Sequence, residues 1–396
     1  MRTRTELRFH WRLIQGGERA GASRAYQSSL AQTGLPDLEP QIDFCRRAEE
    51  CGIDSLLMDF GWSKPDPILL SAALGNATRK IKLIIAYRSG LLCPTSFVQQ
   101  LNTLSHLIQG RFSLNIVAGH SPQEQRYYGD FLSHDERYDR TEEFLAVCNA
   151  FWQGSDEVNF QGRYYQIENG KLNTPLYSAE RSTPEIYIAG NSQSAQRVAI
   201  SQGTCWMRFP EPPEDLEKKI QPVLESGKEV GLRFSMIARP TREEAIEAAY
   251  SLIQGIDPRF DDRAKEKEFA HRSDSVSIRA LHESTTPEWL TDCLWTGATR
   301  THGPAAIALV GSPAQIASAI LDYGRIGITQ FIISGWPKLE SMIFFSREIL
   351  PLVTAQEFSD SVVPFLQHST DARDTATHDM GVRERICPAI STKVRA

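Results

Sequence analysis

The chain has 396 residues, of which 41% are hydrophobic and 23% charged, with a formal net charge of −6. That is enough chain for one large domain or two ordinary ones of a globular protein. The acidic balance argues against a nucleic-acid partner, which asks for a basic surface. No apolar run approaches the roughly 18 residues of a membrane-spanning helix, and the opening MRTRTELRFHWRL has no signal-peptide core. The seven cysteines show neither CxxC nor metal-ligand spacing, so they read as reduced thiols of a cytoplasmic protein without a metal site.

Short apolar runs alternate with helical patterns along the chain. LRFHWRL (7–13) predicts a strand, followed by a polar loop over 15–34. Leu38, Ile42, Cys45 and Ala48 predict a helix that stops at Gly52. Strand 53–60, helix 66–78 and strand 80–88 follow. Phe97, Leu101, Leu104 and Ile108 mark a helix closed by Gly110, and RFSLNIVAG (111–119) is the fourth strand. Phe144, Val147, Cys148, Phe151 and Trp152 mark the next helix. VNFQGRYYQIENGKLN (158–173) reads as an inserted hairpin. Strands at 185–190, 205–209 and 232–239 come next, with helical patterns between them and a helix over 241–254. The polar stretch 256–304 is too long for a simple loop and reads as a lid or an insertion. A helix at 313–324, a strand at 329–335 and a helix at 338–349 complete the pattern. The polar tail after about residue 355 is expected to be poorly ordered, leaving residues 1–354 as the domain.

Eight strands alternating with helices predict a (β/α)8 TIM barrel. An open doubly wound sheet would announce itself by GxGxxG after the first strand, and none is present there. In a barrel the chemistry gathers at the C-terminal strand ends, which here read RLIQ, MDFGW, AYRSG, VAGH, IAGNS, MRFP, IARP and ISGWP. No Ser-His-Asp order, HExxH or calcium loop stands among them. They offer small residues (Gly119, Gly190, Gly335), aromatics (Trp62, Phe209, Trp336) and cations (Arg88, Arg208, Arg239). This mixture suits a planar cofactor with a phosphate better than it suits a hydrolase. At YIAGNSQSAQRVA (187–199) a strand hands over to a helix through Gly190, Asn191 and Ser192. The free N–H groups of a helix start favour an anion there, and an ordinary helix cap by Asn191 or Ser192 explains the same residues.

The runs FSLNIVAGHSPQE (112–124), HDERYDRTEEF (134–144), IAGNSQSAQ (188–196), EPPEDLEKKI (211–220), DSVSIRAL (274–281), ALVGSP (308–313) and ISGWPKLE (333–340) resemble the bacterial-luciferase-like flavin monooxygenases, above all the alkanesulfonate monooxygenases. The resemblance spans roughly residues 7–352. It implies an FMN site at the barrel mouth, reduced FMN delivered by a separate NAD(P)H:flavin reductase, and oxygenation of a small organic substrate by O2 through a peroxyflavin. It implies a homodimer or homotetramer. It assigns the FMN phosphate to Gly190, Asn191 and Ser192, with Tyr138 and His134 beside it. Ala118, Gly119 and His120 would lie along the flavin ring. Asp59 stands where some subfamilies contact the flavin, and Arg88 is either a cofactor contact or a rim salt bridge. The catalytic candidates are Arg233, Arg300, His302, Trp336 and Lys64.

Departures from the sulfonate enzymes cluster at the substrate end. Lys64 stands where they carry Cys, Ser235 where they carry His, Trp336 where they carry Tyr, and Lys338 where they carry His. Either Arg300 or His302 fills the place of their mobile-loop Arg. Losing a Tyr hydroxyl and a His removes two hydrogen-bonding groups, so the expected substrate is other than a simple alkanesulfonate. Two rival functions fit the resemblance: an F420-dependent oxidoreductase of the same superfamily, and a flavin-binding protein without activity.

Overall fold

Side chains alternate between the two faces of a strand, and here both faces are buried, one by helices and one by the opposite wall. The computed structural model describes residues 6–15, 35–154, 157–177, 181–254, 273 and 288–355. Strand β1 (Arg8–Arg12) leads to α1 (Leu38–Glu50), β2 (Ser55–Met58), α2 (Pro67–Ala77), β3 (Lys82–Tyr87), α3 (Pro94–Leu107) and β4 (Phe112–Val117). Helices α4 (Pro122–Tyr127) and α5 (His134–Trp152) come next, then the hairpin β5 (Val158–Gln161) and β6 (Gln166–Gly170). The chain continues through β7 (Ile186–Ala189), α6 (Gln193–Gln202), β8 (Cys205–Arg208), α7 (Pro213–Glu225), β9 (Glu229–Ala238) and α8 (Arg242–Gln254). It ends with β10 (Leu294–Trp295), the short α9 (Thr299–His302), β11 (Ala308–Gly311), α10 (Pro313–Arg325), β12 (Ile328–Gly335) and α11 (Lys338–Phe344), which runs on through a π-turn at Phe345–Ile349.

Strands β1, β2, β3, β4, β7, β8, β9 and β12 pair in parallel and in that order, and β12 returns to β1 to close an eight-stranded barrel. The expected (β/α)8 architecture and the inserted antiparallel hairpin are both present. Strand β9 is longer than the periodicity gave, because one edge serves two neighbours. Glu229–Leu232 pairs with β8, and Ser235–Ala238 pairs with β11. Strands β10 and β11, two and four residues long, lie in and just after the stretch 256–304 and are not among the expected strands. Most of the expected lid segment, and the polar loop 16–34, lie outside the described residues. So does the expected tail, apart from Ala355; Thr354, expected in the domain, and Ala355 belong to a separate unit beginning at residue 354.

The outward faces pack on the helices, as where Phe9 stacks 5.6 Å from Phe331 of β12 and meets Phe345 tilted at 5.2 Å. The inward faces are layered. A middle layer of Leu57, Ile84, Ala86, Tyr187, Cys205, Met207 and Ile332 is apolar but for the Tyr187 hydroxyl. Below it, at the N-terminal strand ends, the floor is charged. Arg8 binds Glu185 at 2.6 Å and Glu229 at 2.9 Å, and Lys82 binds Glu185 at 3.0 Å. Gln330 Nε2 donates to Glu229 at 2.7 Å, and His10 sits between the Ser55 hydroxyl at 2.5 Å and Gln330 Oε1 at 3.0 Å. Burial pulls against ionising Glu185, yet Lys82 and Arg8 outweigh it and hold its carboxyl at about 2. Burial also pushes His10 down to about 4, so it is neutral at physiological pH.

Candidate active site

At the opposite end of the barrel a cavity of about 680 Å³ opens over the C-terminal strand ends, a volume within the range of small-molecule and cofactor sites. Lys64, Asp59, Arg88, Ala118, Gly119, His120, His134, Tyr138, Gly190, Asn191, Ser192, Arg233, His302 and Trp336 all line it. Of the residues that the resemblance assigns to the site, only Arg300 is left out. It lies in α9, and its side chain is outside what the structure describes.

The turn after β7 is built from three unlike residues for three reasons. Gly190 adopts φ +139°, and a Cβ there would fall 2.3 Å from the Tyr138 hydroxyl. Asn191 Oδ1 accepts the Phe209 N–H at 3.1 Å and ties the turn to the end of β8. Ser192 Oγ accepts the Ala195 N–H at 3.2 Å and caps α6. The capping role and a place on the cavity wall therefore coincide at one residue. Tyr138 donates to the Ala189 carbonyl at 3.0 Å, and burial raises its hydroxyl to about 12, so it stays a donor. His134 is the first residue of α5, behind a Ser133–Glu136 capping box. Its ring lies 5.0 Å from that of Tyr138, and its Nδ1 meets Asp135, which also accepts from Ser194 at 2.7 Å. This is the helix-start network of α5 joined to the start of α6.

The wall at the end of β4 is equally constrained. Gly119 takes φ +82°, and a Cβ would overlap Gln125 Nε2. Arg137 Nε donates to the Ala118 carbonyl at 2.9 Å. Arg88 forms a salt bridge, buried instead of at the rim: it is 5% exposed, bonds Glu124 at 2.8 Å and lies 5.0 Å over the Phe60 ring. Glu124 also accepts the Trp62 N–H at 3.0 Å, linking the loops after β2, β3 and β4. Arg88 Nε and Nη1, Arg208 Nε and Asn115 Oδ1 are buried with no hydrogen-bond partner among the described residues. Unpartnered donors and an acceptor around the cavity are unused capacity for polar contacts.

The remaining wall is cationic. Arg12 Nε donates to Asp59 at 2.6 Å, and Arg233 reaches the other Asp59 oxygen at 3.3 Å. Burial acts to raise the Asp59 carboxyl, but the two arginines hold it well below the usual range. Gln15 clamps the Asp59 backbone from both sides, at 2.7 and 3.1 Å, and its carbonyl accepts from Lys64 Nζ at 3.2 Å. Desolvation and the nearby Arg12 charge push Lys64 down to about 8, and both causes push Lys338 well below its ordinary value. Trp336 stands edge-on to His302 with ring centres 5.4 Å apart.

Not all sequence candidates arrive at the mouth. Arg239 lies outside the cavity, because β9 continues past the barrel rim to pair with β11 and carries Arg239 to Gly311. Gly335 faces Ser341 and the Met236 carbonyl, not the cavity. Sequence reasoning passed over Arg12, Gln15, Asn115 and Glu124. Strand parity held the signal for two of them: Arg12 shares the inward face of β1 with His10, and Asn115 shares that of β4 with Ser113.

The sequence profile of the luciferase-like monooxygenases matches residues 16–330. The chain belongs to that family. Among solved structures, a riboflavin lyase (RcaE) with modified FMN and substrate riboflavin is 20% identical, with a TM-score of 0.72 over 89% of this chain and 92% of that one. The EDTA monooxygenase EmoA from Chelativorans sp. BNC1 is 20% identical, with a TM-score of 0.68 over 89% and 94%. An F420-dependent secondary alcohol dehydrogenase is 18% identical, with a TM-score of 0.61 over 88% and 99%. At such identities the likeness is one of fold. Among the described residues of this luciferase-like chain, no cluster of His, Cys, Asp or Glu could hold a metal ion, and no helix is long and apolar enough to cross a membrane.

Proposed function

We propose that this luciferase-like protein is a two-component monooxygenase that takes reduced FMN from a separate reductase and uses O2 to oxygenate a small organic substrate. The turn Gly190–Ser192 carries this reading: a helix start of a ten-residue helix, a hydroxyl at Ser192 and the Tyr138 phenol converge on one end of a cofactor-sized cavity. Those groups suit a phosphate. The orphaned Arg88, Arg208 and Asn115 atoms give the same cavity donors and an acceptor for the polar parts of a flavin.

Reduced flavin, when bound, supplies the electrons that activate O2. The chain's own residues do the rest. Gly119 and Ala118 keep the wall flat where a ring would lie, and the Trp336–His302 pair gives the substrate side an apolar face with an indole N–H. Arg233 is the cation placed to steady negative charge developing on oxygen, with Asp59 fixing its direction. Arg233→Ala is expected to lower oxygenation with reduced FMN by about 100-fold or more while leaving the unfolding temperature nearly unchanged. Full activity in that variant would make Arg233 structural.

The F420-dependent relative favours a second reading, hydride transfer without O2. Titration of the protein with FMN and with F420, followed by turnover under 18O2, separates the two. Tighter F420 binding with no label in product would overturn the monooxygenase reading. A chain that binds FMN but never turns over with any substrate would be the inactive flavin binder.

A further inference from the structure

We propose that the substrate carries a flat aromatic ring, and that this ring docks in the corner between Trp62 and Tyr127 at the rim of the cavity. The inference rests on the proposed function, which gives the phosphate end of the cavity to FMN. That end is built by the turn after β7 and by Tyr138 of α5, whereas the corner is built by the loop after β2 and the end of α4. Trp62 lines the cavity and is nonetheless 56% exposed, and Tyr127 beside it is 58% exposed. A single exposed ring needs no explanation, but adjoining ones on the edge of a cavity mark a binding surface. A second pair follows the same pattern: Phe60, on the cavity wall, meets Tyr128, 38% exposed, with ring centres 5.5 Å apart.

The two segments that carry these rings are tied to each other. The Trp62 N–H donates to Glu124 Oε1 at 3.0 Å, and Glu124 belongs to α4, where its own N–H donates to the capping Ser121 hydroxyl at 3.2 Å. Arg88 bonds the other oxygen of Glu124 and lies 5.0 Å over the Phe60 ring and 5.8 Å over the Tyr128 ring. A ligand that covers the rim meets a backbone already ordered, which lowers the cost of binding. The angle between the rings then selects the ligand. Trp62 and Tyr127 stand at 81° with centres 6.3 Å apart. Aromatic pairs favour offset-stacked and edge-to-face arrangements, so a flat ring stacked on one side of this corner meets the other side edge-on and gains both contacts. A saturated ring or an alkyl chain gains only from the area it covers.

The test is calorimetric titration of the full chain, saturated with FMN, with 2-naphthol and with decahydro-2-naphthol, which has the same two-ring skeleton without the π-system. Saturation with FMN keeps the probes out of the flavin's own place. 2-Naphthol is expected to bind about fivefold more tightly than its saturated counterpart, the worth of one aromatic pair beyond its area. Trp62→Leu and Tyr127→Leu are each expected to weaken 2-naphthol by about fivefold and to change decahydro-2-naphthol by less than about twofold, with FMN affinity and the unfolding temperature unchanged. Equal binding of the two probes to the unaltered chain overturns the proposal. Unchanged 2-naphthol affinity in both variants means that the ring stacks elsewhere, on the flavin itself or on another wall, and leaves the rim to a macromolecular partner; that overturns it too. Equal weakening of both probes in the variants makes the corner a plain apolar surface and overturns the assignment to an aromatic ring. If the unaltered chain binds no FMN, the proposed function has failed, and the same titrations on the unloaded chain decide the corner by themselves.

Discussion

The two ends of the barrel are both rich in charge, and they use it in opposite ways. At the floor each ion has its counterpart within the protein: Glu185 is 3% exposed and takes both Arg8 and Lys82, while Glu229 takes Arg8 and Gln330. At the mouth, polar atoms of Arg88, Arg208 and Asn115 have no hydrogen-bond partner among the described residues. The fold completes itself at one end and leaves binding capacity at the other. Stability and ligand affinity should therefore separate cleanly by end of the barrel.

The largest expected effect is at the floor. Glu185→Gln leaves Arg8 and Lys82 facing an uncharged amide and is expected to cost about 3 kcal/mol of stability, since both cations are partly exposed and lose less than a fully buried pair would. Chemical denaturation reads the loss; FMN affinity should not change, and a weakened FMN site would break the division between the two ends. Next is His10. Its folded-state value of about 4 lies below the ordinary 6.5, so the unfolded chain binds more protons between those values. Stability is then expected to fall as pH drops from 6.5 toward 4, and His10→Gln should flatten that limb of a denaturation-versus-pH series.

At the mouth the order reverses, with small stability effects and large ligand effects. Ser192→Ala removes a helix cap and should cost about 1 kcal/mol, with FMN affinity falling about tenfold. A stability loss with unchanged FMN affinity would leave Ser192 as a cap alone. The smallest effect is at Lys64, whose folded value of about 8 is below the ordinary 10.5. The unfolded chain holds more protons in that window, so stability rises slightly as pH climbs from 8 to 10.5. Lys64→Met should abolish that rise, and a steeper dependence in the variant would contradict the crowding of cations around Arg12.

The barrel was legible in the sequence because eight apolar runs spaced by helical patterns can bury both strand faces in few other ways. The strand-end rule and the resemblance together reach most of the cavity: Ser192, Tyr138, Arg233, Lys64 and Trp336 all line it. The sequence by itself determined the alternation of elements, the β7–α6 turn chemistry and the family. Only the tertiary structure decided which charges meet. Arg12 and Asp59 are 47 residues apart, and Arg233 and Asp59 are 174 apart. Nothing in local periodicity orders such pairs, because their energy depends on closure of the barrel bringing β1, β2 and β9 within hydrogen-bonding distance. The same closure carried Arg239 past the rim and out of the site, since the pairing of β9 with β11 depends on contacts between distant segments.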